Sequence, residues 1–132
     1  MLLIFLTAAA LLLALCITTD RTGDASSVTI TETDGDTREG YVDVAGGRVW
    51  FRVVGADSAG TPLLVLHGGP GMTHDYLEPL EALADERPVV FYDQFGCGNS
   101  GAPDDPALWT VERYVGEVGE VRDALGLRRV HL

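Results

Sequence analysis

The chain has 132 residues, 46% of them hydrophobic and 22% charged, which is enough to bury a core and too apolar for a disordered segment. Its net charge of −11 excludes a basic face for phosphates, so no nucleic-acid partner is expected. All nine basic residues are arginines, which carries no functional message.

Leu2 to Ile17 (LLIFLTAAALLLALCI) is almost unbroken apolar sequence. As a helix it would span about 24 Å, short of the ~30 Å hydrocarbon core of a bilayer. Residues 1–19 are therefore expected to be a leader, either a signal peptide or a membrane anchor, and the protein to be exported or membrane-associated through residues 2–17. No Lys or Arg precedes the run and no A-x-A site follows it. LALC at Leu13–Cys16 is like a lipoprotein cleavage box, with Leu15 where a small residue belongs. The alternatives are a buried helix in a cytoplasmic protein, or the tail of a longer membrane segment.

Cys16 in that run and Cys97 in a glycine-rich loop show no C-x-x-C or Cys/His ligand spacing, so neither a disulfide framework nor a metal site is expected. Residues 20–40 are polar and rich in Gly, Asp and Thr, as in a linker. Residues 41–132 are then expected to form the folded domain.

Tyr41–Val44 and Val49–Val54, separated by Gly46-Gly47, predict a hairpin. PLLVL (Pro62–Leu66) and PVVFY (Pro88–Tyr92) are wholly apolar, which suits strands covered on both faces. Between them, Leu77–Ala84 predicts a helix with Pro79 in its first turn. A longer helix is predicted from an N-cap at Thr110 to a stop at Gly126, with Trp109 stapled to Tyr114. Gly116 and Gly119 inside it suggest close packing on a sheet. Val130–Leu132 reads as the onset of a further strand. The order predicts an α/β fold with a mostly parallel sheet after an antiparallel first hairpin.

Two loops follow the two apolar strands. Gly96, Gly98 and Gly101 in QFGCGNSG have the G-x-G-x-x-G spacing of a dinucleotide turn. Such a turn must open a helix, whereas here APDDP follows, with two carboxylates that would repel a diphosphate. No cofactor is expected. Ser100 lies in GNSGA, but a nucleophile elbow joins strand directly to helix, and Ser100 is seven residues past Asp93. It is read as a turn serine.

His67, Gly68, Gly69, Pro70 and Gly71 (HGGPG) close the strand PLLVL, at the end where ligands gather in α/β sheets. The sequence is compatible with a plain tight turn. It is equally compatible with a loop presenting the Gly69 N–H to a developing oxyanion, and a histidine at a buried strand end favours the second reading. Such a donor is typically worth about 3 kcal/mol.

VLHGGPGMTHDYL followed by VVFYDQFGCGNSG resembles the proline iminopeptidase branch of the α/β-hydrolases, which includes the tricorn-associated aminopeptidases. The resemblance runs from about Gly40 to Leu132. It implies a serine aminopeptidase acting through an acyl-enzyme on peptides with a free N-terminus, with Gly69 as one oxyanion-hole donor. It also implies that Asp93, Gln94, Gly96, Cys97, Gly98 and Ser100 form the loop supporting the pocket. Many members carry Arg where Phe95 stands, which blurs the exact substrate. The triad of such a fold needs a serine on G-x-S-x-G, and no such motif occurs in the chain. His67 is accordingly expected to order its loop, His131 to lie in a strand, and neither these nor His74 to be the catalytic base. The expectation is the N-terminal part of an α/β-hydrolase, lacking the triad and inactive alone. The alternatives are another α/β-hydrolase, such as an esterase or epoxide hydrolase, and a non-catalytic domain derived from one.

Overall fold

The computed structural model describes residues 27–68 and 71–132. The leader expectation for residues 1–19 falls outside them. Among the described residues no helix is long and apolar enough to cross a membrane.

Five strands form one sheet: β1 (Val28–Asp34), β2 (Thr37–Val44), β3 (Gly47–Val54), β4 (Leu63–Val65) and β5 (Val89–Tyr92), in the order β1-β2-β3-β5-β4. The first three and β5 run antiparallel in turn; β4 and β5 are parallel, with Leu64 opposite Val90. This is the predicted antiparallel opening followed by a parallel pair. The β2–β3 hairpin closes Val44 on Gly47, so its two turn residues are Ala45 and Gly46, one position earlier than expected.

The stretch expected as a linker is corrected here from Val28 onward. It holds β1 and the start of β2, joined across Gly35 and Asp36. Every residue of β1 is exposed, so β1 shows no apolar alternation to betray a strand. Its β-branched residues (Val28, Thr29, Ile30, Thr31, Thr33) and the Asp-Gly turn are what favour pairing.

Strand β5 is buried along its whole length. Val90 and Tyr92 point to one face, packing with Val42, Val49, Phe51, Leu64 and Val121. Val89 and Phe91 point to the other, packing with Val65, Leu77, Leu80 and Leu83. The period-2 alternation of a strand thus feeds two cores, one beneath each helical layer. That is why PVVFY contains no polar residue.

The layer over Val89 and Phe91 is a 3-10 helix, Asp75–Leu83, rather than the predicted α-helix, and it begins two residues earlier. Pro79 therefore falls inside it, where it withholds an N–H from the helical ladder. The other layer is α1 (Val111–Ala124). Thr110 caps it, its hydroxyl accepting the Arg113 N–H at 3.2 Å. Gly126, at φ +68°, ends it: its N–H reaches Asp123 O, and Leu127 N–H reaches Arg122 O at 2.8 Å. This pair of bonds is the Schellman arrangement. The packing reason offered for Gly116 and Gly119 does not hold, since a Cβ on either would meet nothing within 4 Å.

Past α1 the chain returns to the sheet. Leu63 and His131 bridge in parallel, with Leu64 N–H bonded to His131 O and His131 N–H to Pro62 O, both at 2.9 Å. The predicted onset of a strand at Val130–Leu132 therefore lies beside β4.

Candidate active site

Two loops leave the carboxyl ends of the parallel pair, one after β4 carrying His67–Gly71 and one after β5 carrying Asp93–Gly101. Of the first, Gly69 and Pro70 lie outside the described residues. Of the others, His67 and Gly71 bond to the second loop.

His67 is buried at 3% exposure. Its Nε2 accepts the Gln94 N–H at 2.9 Å, and its carbonyl accepts the Gln94 side-chain N–H, also at 2.9 Å. A ring nitrogen that accepts cannot carry the proton, so the His67 proton sits on Nδ1. His67 is thus engaged as a strut between the loops, and its Nε2 is taken.

Asp93 is fully buried. One carboxylate oxygen accepts the His74 N–H at 3.0 Å and the His74 Nδ1–H at 2.9 Å. The other accepts the Asn99 N–H at 2.9 Å. Its carbonyl accepts the Ser100 hydroxyl at 2.5 Å, and Ser100 Oγ in turn accepts the Trp50 N–H at 2.7 Å. Ser100 therefore closes its own turn onto β3, as a turn serine does. The His74 ring stacks against Trp50 with centroids 4.4 Å apart.

The glycine spacing is explained by close approach. A Cβ on Gly98 (φ +49°) would lie 2.2 Å from an Asp93 carboxylate oxygen, and one on Gly96 (φ +89°) 2.3 Å from the Trp109 ring. These glycines let the loop fold over a buried carboxylate and under an indole. They are not arranged to receive a diphosphate. Cys97 is buried too, and its Sγ accepts the Gly71 N–H at 3.4 Å, tying the end of HGGPG to the second loop. The Gly68 N–H is bonded to the Tyr76 hydroxyl at 2.7 Å.

A further group went unread in the sequence. Glu117 on α1 is fully buried beneath the second loop. It accepts the Phe95 N–H at 3.1 Å and the Arg113 guanidinium at 2.9 Å. Burial pushes its carboxyl above the usual range, against the opposing pull of Phe95 N–H and Arg113. Arg113 also donates to Ala45 O at 2.8 Å, and Tyr114 OH donates to Phe95 O at 3.1 Å. Burial likewise raises the phenol of Tyr92 well above its ordinary value, with Glu117 adding to the effect. Glu117 lies three residues from Tyr114 and four from Val121, so it shares their face of α1. A charge on that apolar face, four residues from Arg113, was the signal available.

Beside this network an open cavity of about 310 Å³ is lined by Leu66, Tyr92, Gln94, Tyr114 and the α1 residues Val111, Val115 and Val118. It is mostly apolar, lies at the strand ends and takes one polar group, Gln94, from the second loop. Of the residues predicted to support a pocket, Gln94 lines this cavity. Asp93, Gly96, Cys97, Gly98 and Ser100 act behind it, holding the loop in shape.

A mixed sheet with helical segments on both faces, and two interlocked loops at the ends of its parallel strands, defines the class. Over residues 61–132 the chain matches the family described as alpha/beta hydrolase fold, and it belongs to that family. Its relatives sharpen the placement. It is 50% identical over 94 residues to the proline iminopeptidase of Heyndrickxia coagulans, covering 71% of this chain and 33% of that protein. It is 48% identical over 97 residues to the one from Lactobacillus acidophilus, with the same coverage. Among solved structures, a proline iminopeptidase-related protein from Thermus thermophilus superposes with a TM-score of 0.63 at 35% identity, over 71% of this chain and 34% of that one. An epoxide hydrolase from Vigna radiata gives 0.61 at 25% identity, over 72% and 30%. The chain spans about one third of the length of the curated relatives it matches. The resemblance drawn from HGGPG and the Asp93–Ser100 loop is thus upheld.

Proposed function

We propose that this chain forms the oxyanion-hole side of a serine aminopeptidase of the proline iminopeptidase type, which removes N-terminal residues from peptides. The observation that carries the reading is the interlock of the two loops, His67 with Gln94 and Asp93 with His74, at the carboxyl ends of β4 and β5. It fixes HGGPG where a reacting carbonyl would approach. Within that loop Pro70 has no N–H, and those of Gly68 and Gly71 are engaged. Gly69 is the glycine left to offer one to an oxyanion.

In this reading a serine supplied beyond Leu132 attacks the acyl carbon of the N-terminal residue. A base likewise supplied beyond Leu132 takes the serine proton, the carbonyl oxygen becomes an oxyanion facing the Gly69 N–H, and the amine leaves with that proton to give the acyl-enzyme, which water then hydrolyses. The chain contributes the Gly69 donor and one wall of the pocket. In this reading it contributes neither nucleophile nor base: it carries no G-x-S-x-G, and His67 has its Nε2 taken by the Gln94 N–H. We further propose that residues 2–17 direct export or membrane attachment.

The test is hydrolysis of proline arylamides. A protein extended to the length of the relatives should turn them over and be trapped by a serine-directed phosphonate, while the 132-residue chain alone should not. Turnover by the chain alone would refute the proposed division of labour. An extended protein that opens epoxides and ignores the arylamides would instead establish the epoxide-hydrolase alternative.

A further inference from the structure

We propose that His74, Asp75 and Glu78 form a site for a single first-row divalent cation, with Zn²⁺ the best match to one imidazole and two carboxylates. The site shares His74 with the loop interlock above but does not depend on the hydrolase reading.

One ligand atom from each of the three residues lies within 4.8 Å of the others. Ligands at metal–ligand distances of about 2.0–2.2 Å in a tetrahedral shell stand roughly 3.3 Å apart. The remaining gap is within reach of side-chain rotation, because Asp75 and Glu78 are largely free to turn, at 71% and 49% side-chain exposure.

The second observation is His74 itself. Its side chain is only 7% exposed, and it is held on three sides. Its main-chain N–H and its Nδ1–H both donate to Asp93, and its ring stacks on Trp50. With Nδ1 engaged by Asp93, Nε2 is the ring atom left to act as a ligand. No hydrogen-bond partner for Nε2 is found among the described residues; its neighbour is an Asp75 carboxylate oxygen at 3.7 Å. A divalent cation placed between Nε2 and that carboxylate would bind both. A carboxylate behind the imidazole, fixing its tautomer and raising its basicity, is the usual support of a metal-bound histidine. The other oxygen of Asp75 accepts the Thr73 hydroxyl, which leaves the one nearer His74 for the ion.

The competing cation is Arg52. It stands 4.0 Å from Glu78, but 2.9 Å from Glu81 and 3.2 Å from Glu39, so its charge is directed to those two and Glu78 remains available. The ligand set of one nitrogen and two oxygens, without sulfur, disfavours Cu(I) and suits Zn²⁺. Three protein ligands leave one position for water. Bound there, the ion would brace the turn after HGGPG from its outer side, through His74 and Asp93.

Calorimetric titration of the full chain with Zn²⁺ tests the site. The expected result is one ion per chain, with Asp75→Asn and Glu78→Gln each weakening it about tenfold or more, and with unchanged circular dichroism because both residues are exposed. Co²⁺ in place of Zn²⁺ should give visible absorption bands that both variants diminish, while His131→Asn leaves them intact. Unaltered affinity in both carboxylate variants, the absence of saturable binding, or loss of binding in His131→Asn alone would each overturn the proposal.

Discussion

Asp93 and Glu117 are both fully buried carboxylates, and both hold the backbone of the same loop, yet they do so by different means. Asp93 faces the segment after HGGPG and is satisfied by two main-chain N–H groups and an imidazole. Glu117 faces the opposite layer and is satisfied by one main-chain N–H and a guanidinium. Asp93 joins loop to loop, and Glu117 joins the same loop to a helix. The difference shows that one loop can be positioned from both sides of a sheet, with local donors on one side and an ion pair on the other.

The largest effect should come from the Asp93 side. Asp93→Ala strands two main-chain donors and a ring N–H in a dry site, and should cost about 4 kcal/mol of unfolding free energy in urea titration. A loss no greater than that of a surface substitution would break the contrast. Glu117→Ala should cost about 3 kcal/mol, because it leaves the Arg113 guanidinium, 10% exposed, without its carboxylate. Replacing both Arg113 and Glu117 by apolar residues of similar volume should recover part of that loss. Less rescue is open to Asp93, two of whose three donors are main-chain N–H groups that no second substitution can remove, against one for Glu117.

Thr110→Ala tests whether the Glu117 side depends on where α1 begins. Loss of the cap to Arg113 N–H should cost about 1 kcal/mol, read as a lower melting temperature. The smallest effect concerns pH. The Glu117 carboxyl is raised in the folded state, so between the ordinary carboxylate range and that raised value the folded protein binds more protons than the unfolded chain. Stability from this group therefore falls as pH rises through the window and returns as pH falls. The stability of the parent relative to Glu117→Gln should accordingly increase on acidification from neutral pH, measured by denaturant midpoints. A change in the opposite direction would mean that the Arg113 pair outweighs burial.

What was legible in the sequence follows from what burial does to composition. PLLVL and PVVFY are apolar on both faces because both faces are covered, so β4 and β5 could be placed. HGGPG could be matched to its partner loop because both follow such strands. Strand β1 escaped because all of its residues face solvent and no pattern was imposed on them. The helical type of Asp75–Leu83 escaped because spacing of leucines does not separate a 3-10 from an α turn, and Pro79 was placed at a start that lies two residues further back. Glu117 escaped because a glutamate in GEVGEV looks solvated until Arg113 and Phe95 are seen to enclose it. Gly116 and Gly119 misled, since their lack of a side chain is met by open space.

The paired bonds of His67 and Gln94 have a kinetic meaning as well. Neither loop can lift without breaking both bonds, and lifting the second also exposes Asp93 and frees the His74 and Asn99 amides. The amide hydrogens of His74, Gln94 and Asn99, twenty-five residues apart at the extremes, should therefore exchange with solvent as one cooperative unit. The two loops then share a single opening rate, and its inverse is how long the site stays assembled between excursions.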